Sequence, residues 1–294
     1  MKYAWIKENS DSFPVKSMCK AMRVTKSGYY AWRRSKQSPR AKRNAKIRQD
    51  IVSVFEDSNR IYGSYKIADR MREDPRLETV CRNTVAKAMK EMGIKSRVSK
   101  RFKPTTTVTD PSKRPAPNVL DQVFIADAPN QKWVTDITYL PTAEGFVYLA
   151  VVLDLFSRRV VGWALSDSLA TTLVNQALRS AVEQRQPDTT QLLMHSDRGC
   201  QYTSDEYQRV LRTMQITCSM SRTACCYDNA VMERFFWSLK HEWTKFASFA
   251  DIQEARLSVF EYIETFYNTK RIHQTLGYKT PQEFEANYKK NLAV

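Results

Sequence analysis

The sequence predicts a strongly basic, all-α N-terminal region followed by a mixed-sheet α/β domain, and three observations carry that expectation. Charge is divided along the chain: residues 1–115 hold 29 Lys and Arg against 11 Asp and Glu, a net of +18, whereas residues 116–294 hold 18 against 20, a net of −2. Between the two, residues 103–118 (KPTTTVTDPSKRPAPN) carry four prolines and no apolar periodicity, the composition of an extended linker. Beyond it, three β-branched or aromatic runs give way to alternating helical and strand-like segments. With 294 residues, 42% of them hydrophobic, the chain is long and apolar enough for a sizeable core, and its seven glycines exclude a collagen-like chain.

In the basic region, residues 14–35 read as a short amphipathic helix, a break near Met22–Thr25 and a second helix carrying Lys26, Arg33 and Arg34, the spacing of a helix-turn-helix. Residues 40–56 place Ile47, Ile51, Val54 and Phe55 at helical intervals, as a connecting helix would. A second pair follows at 64–74 and 81–93, separated by a loop with Pro75 and stopped by Gly93; its second helix presents Arg82, Asn83, Lys87 and Lys90. The expected division is therefore two helix-turn-helix-like units at 1–60 and 61–102, a linker at 103–120, an α/β domain at 121–288 and a tail at 289–294. Such a basic segment suits a polyanion, because each phosphate neutralised releases condensed counterions. A solvated basic face or a membrane surface is the competing reading, and two helix pairs within the segment favour DNA.

In the α/β region, residues 133–140 (WVTDITYL), 146–154 (FVYLAVVLD) and 159–166 (RVVGWALS) read as three strands of a meander. A helix is expected at 171–186, a fourth strand at 191–197, and a helix opening at Thr203 with Glu206 as its capping-box partner. A short strand near 216–219 precedes a helix over 228–243, with Asp228 as N-cap and Met232, Phe236, Leu239 and Trp243 on one stripe. A last helix covers 251–267. No apolar run approaches 20 residues and the start of the chain lacks a secretory signal, so a cytoplasmic, nucleoid-associated protein is expected, its six cysteines free thiols.

Three carboxylates stand out. Asp136 interrupts an otherwise apolar strand, where an unpaired buried carboxylate costs several kcal/mol. Asp197 follows the carboxyl end of an apolar strand, the edge where α/β sheets place ligands. Glu233 lies in the first turns of the helix after Asp228. If the three converge, their mutual repulsion calls for hard divalent cations, Mg²⁺ or Mn²⁺, and zinc does not suit oxygen ligands of this kind. Taken singly, each has an ordinary explanation: an edge-strand charge, an Asx-turn before Gly199, and a helix-dipole partner. His195, beside Asp197, is either a proton shuttle or a hydrogen-bonded strand-end histidine. Phe235, Phe236, Trp237 and Trp243 either stack on bases or, as their helical spacing favours, pack in the core. Arg271 and His273 either contact DNA or cap the last helix.

The blocks WVTDITYL, HSDRGCQYTS, CYDNAVMERFFWSLKHE and YNTKRIHQTLGYKTPQEF resemble, in order and spacing, the DDE transposases of the bacterial insertion-sequence-three family, a branch of the retroviral-integrase superfamily. The 35 residues between Asp197 and Glu233 match that family's spacing, and Lys240, seven positions after Glu233, falls where the family places a basic residue. The resemblance covers about residues 121–288 and extends, with less specific motifs, to the two helix pairs. It implies an RNase H-like catalytic core in which Asp136, Asp197 and Glu233 hold two metal ions for 3'-end nicking and strand transfer at the ends of an insertion sequence. It further implies Lys240 and Arg234 as phosphate contacts, Asn229 as a DNA-positioning residue, and double-stranded DNA, both terminal repeats and target, as substrate. The expected partners are further copies of the chain in a synaptic complex and an upstream-frame helix-turn-helix product. Two departures touch loops: Cys200 stands where serine is usual, and Thr223, Ala224 and Cys225 replace a lysine-glycine pair and a polar residue. The competing functions are a catalytically inactive DNA-binding regulator and a structure-selective nuclease that cleaves without joining.

Overall fold

A computed structural model describes residues 2–34, 39–75, 77, 80–97, 115–223 and 225–292, so most of the expected linker and Ala224 lie outside the described residues. The N-terminal helices α1 (Lys2–Glu8), α2 (Val15–Ala21) and α3 (Lys26–Arg34) enclose a small core of Ile6, Met18, Cys19 and Tyr29. Helix α1 has no counterpart in the sequence reading: Ile6 is its one buried residue, too few to give a period. Helix α4 (Pro39–Asp57) turns Ile47, Ile51 and Phe55 inward against Ile67 and Met71 of α5 (Ser64–Met71) and Val85 and Met89 of α6 (Arg82–Glu91).

The α/β region holds one five-stranded sheet in the order β3-β2-β1-β4-β5. Strands β1 (Lys132–Thr142), β2 (Gly145–Asp154) and β3 (Val160–Ser166) form the expected antiparallel meander, with Asp136 opposite Val151. Strands β4 (Leu193–Ser196) and β5 (Thr217–Met220) join parallel to β1, the crossovers being helical. The register Val134↔His195 puts Asp136, within β1, and Asp197, just past the end of β4, each two residues beyond the last pair of these adjacent strands. Strand β4 pairs only residues 132–134 of β1, so the carboxyl half of β1 has an open edge there.

Both faces of the sheet are covered. On one, Trp133, Ala150, Val152 and Val161 pack against Leu173, Val174, Ala177 and Leu178 of α7 (Thr171–Arg185) and against Tyr207 and Leu211 of α9 (Asp205–Thr213), which follows the single-turn α8 (Cys200–Thr203). On the other, Val134, Leu149 and Val151 meet α10 (Ala230–Ser238) and α11 (Ile252–Phe260), and this core is continuous with that of α4–α6. Gly162 on β3 lets α7 lie close: an added Cβ would meet the Ala177 carbonyl and the Ala181 Cβ at 2.6 Å. Gly162→Ala is therefore expected to cost about 1–3 kcal/mol by overpacking, read as a lower urea midpoint at unchanged slope.

Four details differ from the sequence reading. The helix expected at Thr203 starts after Ser204, whose hydroxyl accepts from the Tyr207 N–H; the Glu206 carboxylate accepts instead from Asn175 on α7, so no capping box forms. The helix expected over 228–243 opens with a 3₁₀ turn at Cys226–Asn229, and Asn229, not Asp228, occupies the cap position without a side-chain cap bond. That helix widens into π turns over Leu239–Trp243, and the last helix does so over Glu261–Tyr267. Helix α12 (Pro281–Leu292) was not anticipated, because it is seated by Phe284 and Tyr288 on Phe156 and by a buried ion pair between Glu285 and Arg185. Among the described residues no helix is long and apolar enough to cross a membrane.

Candidate active site

The shared level of β1 and β4 brings Asp136 and Asp197 to one cleft of about 320 Å³ on the open edge of β1, with Tyr139, Tyr148 and Cys200 also in its lining. The carboxylate of Asp136 accepts from the Ile137 N–H at 2.7 Å, and that of Asp197 from the Gly199 N–H at 2.9 Å, so Asp197 makes the Asx-type turn as well as facing the cleft. Burial, then the charge of Asp197, then that of Glu233 push the Asp136 carboxyl well above the ordinary carboxylate value, against the Ile137 N–H and Lys240. Such a site favours neutralisation, by a proton or by a cation.

Glu233 lies in the first turn of α10, exposed and outside the lining of the cleft, yet close enough for its charge to act on Asp136. Partial desolvation raises its carboxyl above the usual range. Among the described residues no three His, Cys, Asp or Glu side chains are grouped as a ready metal site. The structure thus brings the two aspartates to one cleft and leaves Glu233 exposed outside its lining.

The residues around this centre divide by exposure. Lys240 places its ammonium 4.4 Å from the Tyr139 ring centroid and feels the charge of Asp136, although burial lowers its pKa overall. Arg234 is exposed, its guanidinium 4.6 Å from the centroid of the Trp237 ring, which stacks on His241. Asn229 is buried: its amide donates to the Thr135 carbonyl at 3.4 Å, beside Asp136. His195 is fully buried, its two ring nitrogens at 2.8 and 3.2 Å from the hydroxyls of Ser219 and Ser221, and burial drives its pKa down to about 4, so the ring is neutral. Phe235 and Phe236 are buried and Trp243 packs against the same core. Arg271 is buried against Glu242, and His273 packs edge-on against Tyr267. Lys26, Arg33 and Arg34 on α3 and Arg82, Asn83, Lys87 and Lys90 on α6 are all exposed; the Arg82 guanidinium stacks 3.5 Å above the Tyr65 ring. Tyr139 and Tyr148, paired across β1 and β2, were not singled out from sequence. Only the short pairing of β4 exposes that edge, and no local pattern signals it.

Residues 126–226 match the family described as Integrase core domain, residues 214–281 match a second family of the same description, and residues 42–102 match an HTH-like domain. The sheet and the matched segments therefore define an RNase H-like, integrase-type polynucleotidyl transferase core behind a helix-turn-helix-like region. Among curated proteins, Transposase InsF for insertion sequence IS3A of Escherichia coli (strain K12) is 38% identical over 295 residues, covering 100% of both chains. Transposase for insertion sequence element IS904 of Lactococcus lactis subsp. lactis (strain IL1403) is 39% identical over 239 residues, covering 81% of this chain and 93% of that one. With this identity running end to end, the chain belongs to the IS3 family of transposases. Among solved structures, the HTLV-2 integrase catalytic core domain in complex with magnesium (trimeric form) aligns at a TM-score of 0.42 and 16% identity, covering 54% of this chain and 99% of that one.

Proposed function

We propose that this transposase carries out metal-dependent nicking at the 3' ends of an insertion sequence and joins those ends to target DNA, with Asp136, Asp197 and Glu233 as the metal ligands. The observation that supports this reading is the placement of Asp136 and Asp197 at one level of adjacent parallel strands, in a cleft where their repulsion favours an added cation. The donor set fits Mg²⁺ or Mn²⁺, being hard carboxylate oxygen throughout. When bound, a pair of such ions activates the attacking oxygen and offsets charge on the leaving 3'-oxygen. The chain's own part is positional. Asp136 and Asp197 hold the centre at the sheet, and Glu233 completes it from α10. Lys240 and Arg234 take non-bridging phosphate oxygens beside it, and Asn229 acts indirectly by fixing α10 to β1.

The exposed cations of α3 and α6 belong, in this reading, to two DNA-binding units at 1–60 and 61–102 that bind the terminal repeats. The working form is then a homo-oligomer pairing two DNA ends, with or without an upstream-frame product, in the cytoplasm. The test is a labelled duplex with a free 3'-hydroxyl at the element end, incubated with the protein, Mg²⁺ or Mn²⁺ and a target plasmid. Joined product is the expected result. Nicking without joining would make the protein a nuclease, and binding without chemistry a regulator.

A further inference from the structure

The most heavily bonded carboxylate near the candidate site is one that the mechanism leaves unused. Asp228 is fully buried, and its two oxygens accept from the Arg222 backbone N–H at 2.8 Å, the Arg222 Nε and Nη2 at 3.1 and 2.9 Å, Asn118 Nδ2 at 2.9 Å, Gln122 Nε2 at 2.8 Å and Cys225 Sγ at 3.3 Å. None of these donors belongs to α10, so the residue does not act as a helix cap. Arg222 also reaches Asp121 at 3.2 Å, and Ser219 accepts from the N–H groups of Val119 and Leu120 at 2.9 and 3.0 Å. The segment 118–122 is over-determined by these bonds: Asp121 and Gln122 are held at φ +42° and +61°, a left-handed conformation that side chains other than glycine rarely adopt.

Five residues after Asp228 comes Glu233, on a helix whose first turn has no side-chain cap of its own. The neighbouring Asn229 ties the same point to β1 through Thr135. We propose that Asp228 is a positioning residue that, by clamping the 118–122 segment and Arg222 to the start of α10, fixes where Glu233 stands relative to Asp136. The same clamp fastens the chain entering the catalytic domain to the helix that carries Glu233. The inference rests on Glu233 being a metal ligand.

Displacing a reacting group by about 1 Å costs on the order of 100-fold in rate, and Mg²⁺ demands near-ideal octahedral geometry, so misplacement is expected to show most strongly with that ion. Asp228→Asn keeps the volume and removes the charge, while Arg222, half exposed, can return to water. This variant is expected to join DNA ends about 30–100-fold more slowly in Mg²⁺ but no more than about tenfold more slowly in Mn²⁺. In metal-free protein, amide exchange over residues 230–236 should rise about tenfold while that of β1 and β2 stays unchanged. Gln122→Ala should shift both readouts the same way by less, and it carries the test if Asp228→Asn fails to fold. Parental rates with parental exchange, or an equal loss in both metals with exchange raised throughout the sheet, would overturn the proposal. Glu233→Gln separates the two ideas. If it abolishes joining while Asp228→Asn leaves joining and exchange unchanged, the positioning role alone fails; if Glu233→Gln joins at the parental rate, the ligand assignment fails and the inference goes with it.

Discussion

Asp136→Asn is expected to abolish joining of a 3'-hydroxyl DNA end to target, by about 1,000-fold or more, or about 4 kcal/mol on the barrier, while DNA affinity stays within about twofold because the cations assigned to DNA, those of α3 and α6 and the neighbouring Lys240 and Arg234, are all retained. The companion readout is stability, and its sign is informative. Burial and the charge of Asp197 hold the Asp136 carboxyl above its ordinary value in the folded protein. Between that ordinary value and the raised one, the folded state binds more protons than the unfolded state, so the contribution of Asp136 to stability falls as pH rises through this window. At neutral pH the metal-free carboxylate is therefore a destabilising group, and the amide, which cannot ionise, removes the penalty. A variant that is dead in the joining assay yet melts at or above the parental temperature would separate a catalytic defect from a folding one. Retained joining would remove Asp136 from the chemistry, and equal loss of joining and DNA binding would mark it as structural.

The parts of this arrangement that could be read from the residues are those set by local periodicity. Alternation and β-branched runs delimit β1, β2 and β3, because a half-buried strand must alternate and short turns can only join antiparallel neighbours. Asp136 and Asp197 could be singled out for a related reason, since a carboxylate within or just past an apolar strand lacks a structural excuse. What periodicity does not encode is which strands meet. The insertion of β4 between β1 and β5 follows from two helical crossovers, and only that pairing sets the two aspartates level. Cap positions differ from the expected ones where neighbouring residues offer the same atoms: Thr203 and Ser204 both carry a hydroxyl, and Asp228 and Asn229 both carry a side-chain oxygen. Asp228 was diverted from capping by Arg222, Asn118 and Gln122, donors that come from another strand end and from a segment about a hundred residues away. The π turns after Ser238 and Phe260 escape a 3.6-residue template altogether. The helical period places Glu233 on α10, but how that helix sits against the sheet, and so how far Glu233 lies from the aspartate pair, depends on tertiary contacts that spacing does not carry.

Arg271→Met is expected to destabilise the protein by about 3–5 kcal/mol, the typical cost of stranding one member of a buried ion pair. Arg271 and Glu242 are 8% and 5% exposed, and the guanidinium donates through Nε and Nη2 to both carboxylate oxygens at 2.7 and 2.6 Å, with a further bond to Ser238 at 3.1 Å. Burial raises the Glu242 carboxyl, but the charge and hydrogen bonds of Arg271, with the charges of Lys66 and Arg234, together hold it below its ordinary range, so the pair's contribution is present above the usual carboxylate value and is lost as pH falls through the lowered one. The consequence reaches beyond the pair, because the flanking backbone is where the helical region meets the catalytic domain. The Tyr62 hydroxyl, preceding α5, donates to the Lys270 carbonyl at 2.8 Å and accepts from the Ile272 N–H at 2.9 Å. Lys66 on α5, its pKa brought down to about 7 by burial and by the charge of Arg271, faces the same cluster. Arg271→Met should accordingly lower the urea midpoint of both regions together, in one transition. Adding Glu242→Leu should recover most of the loss, because it removes the stranded charge and refills the space with hydrocarbon. A loss below about 1 kcal/mol, in the range of an exposed pair, would show that water reaches Glu242 and that the junction is looser than its hydrogen bonds indicate.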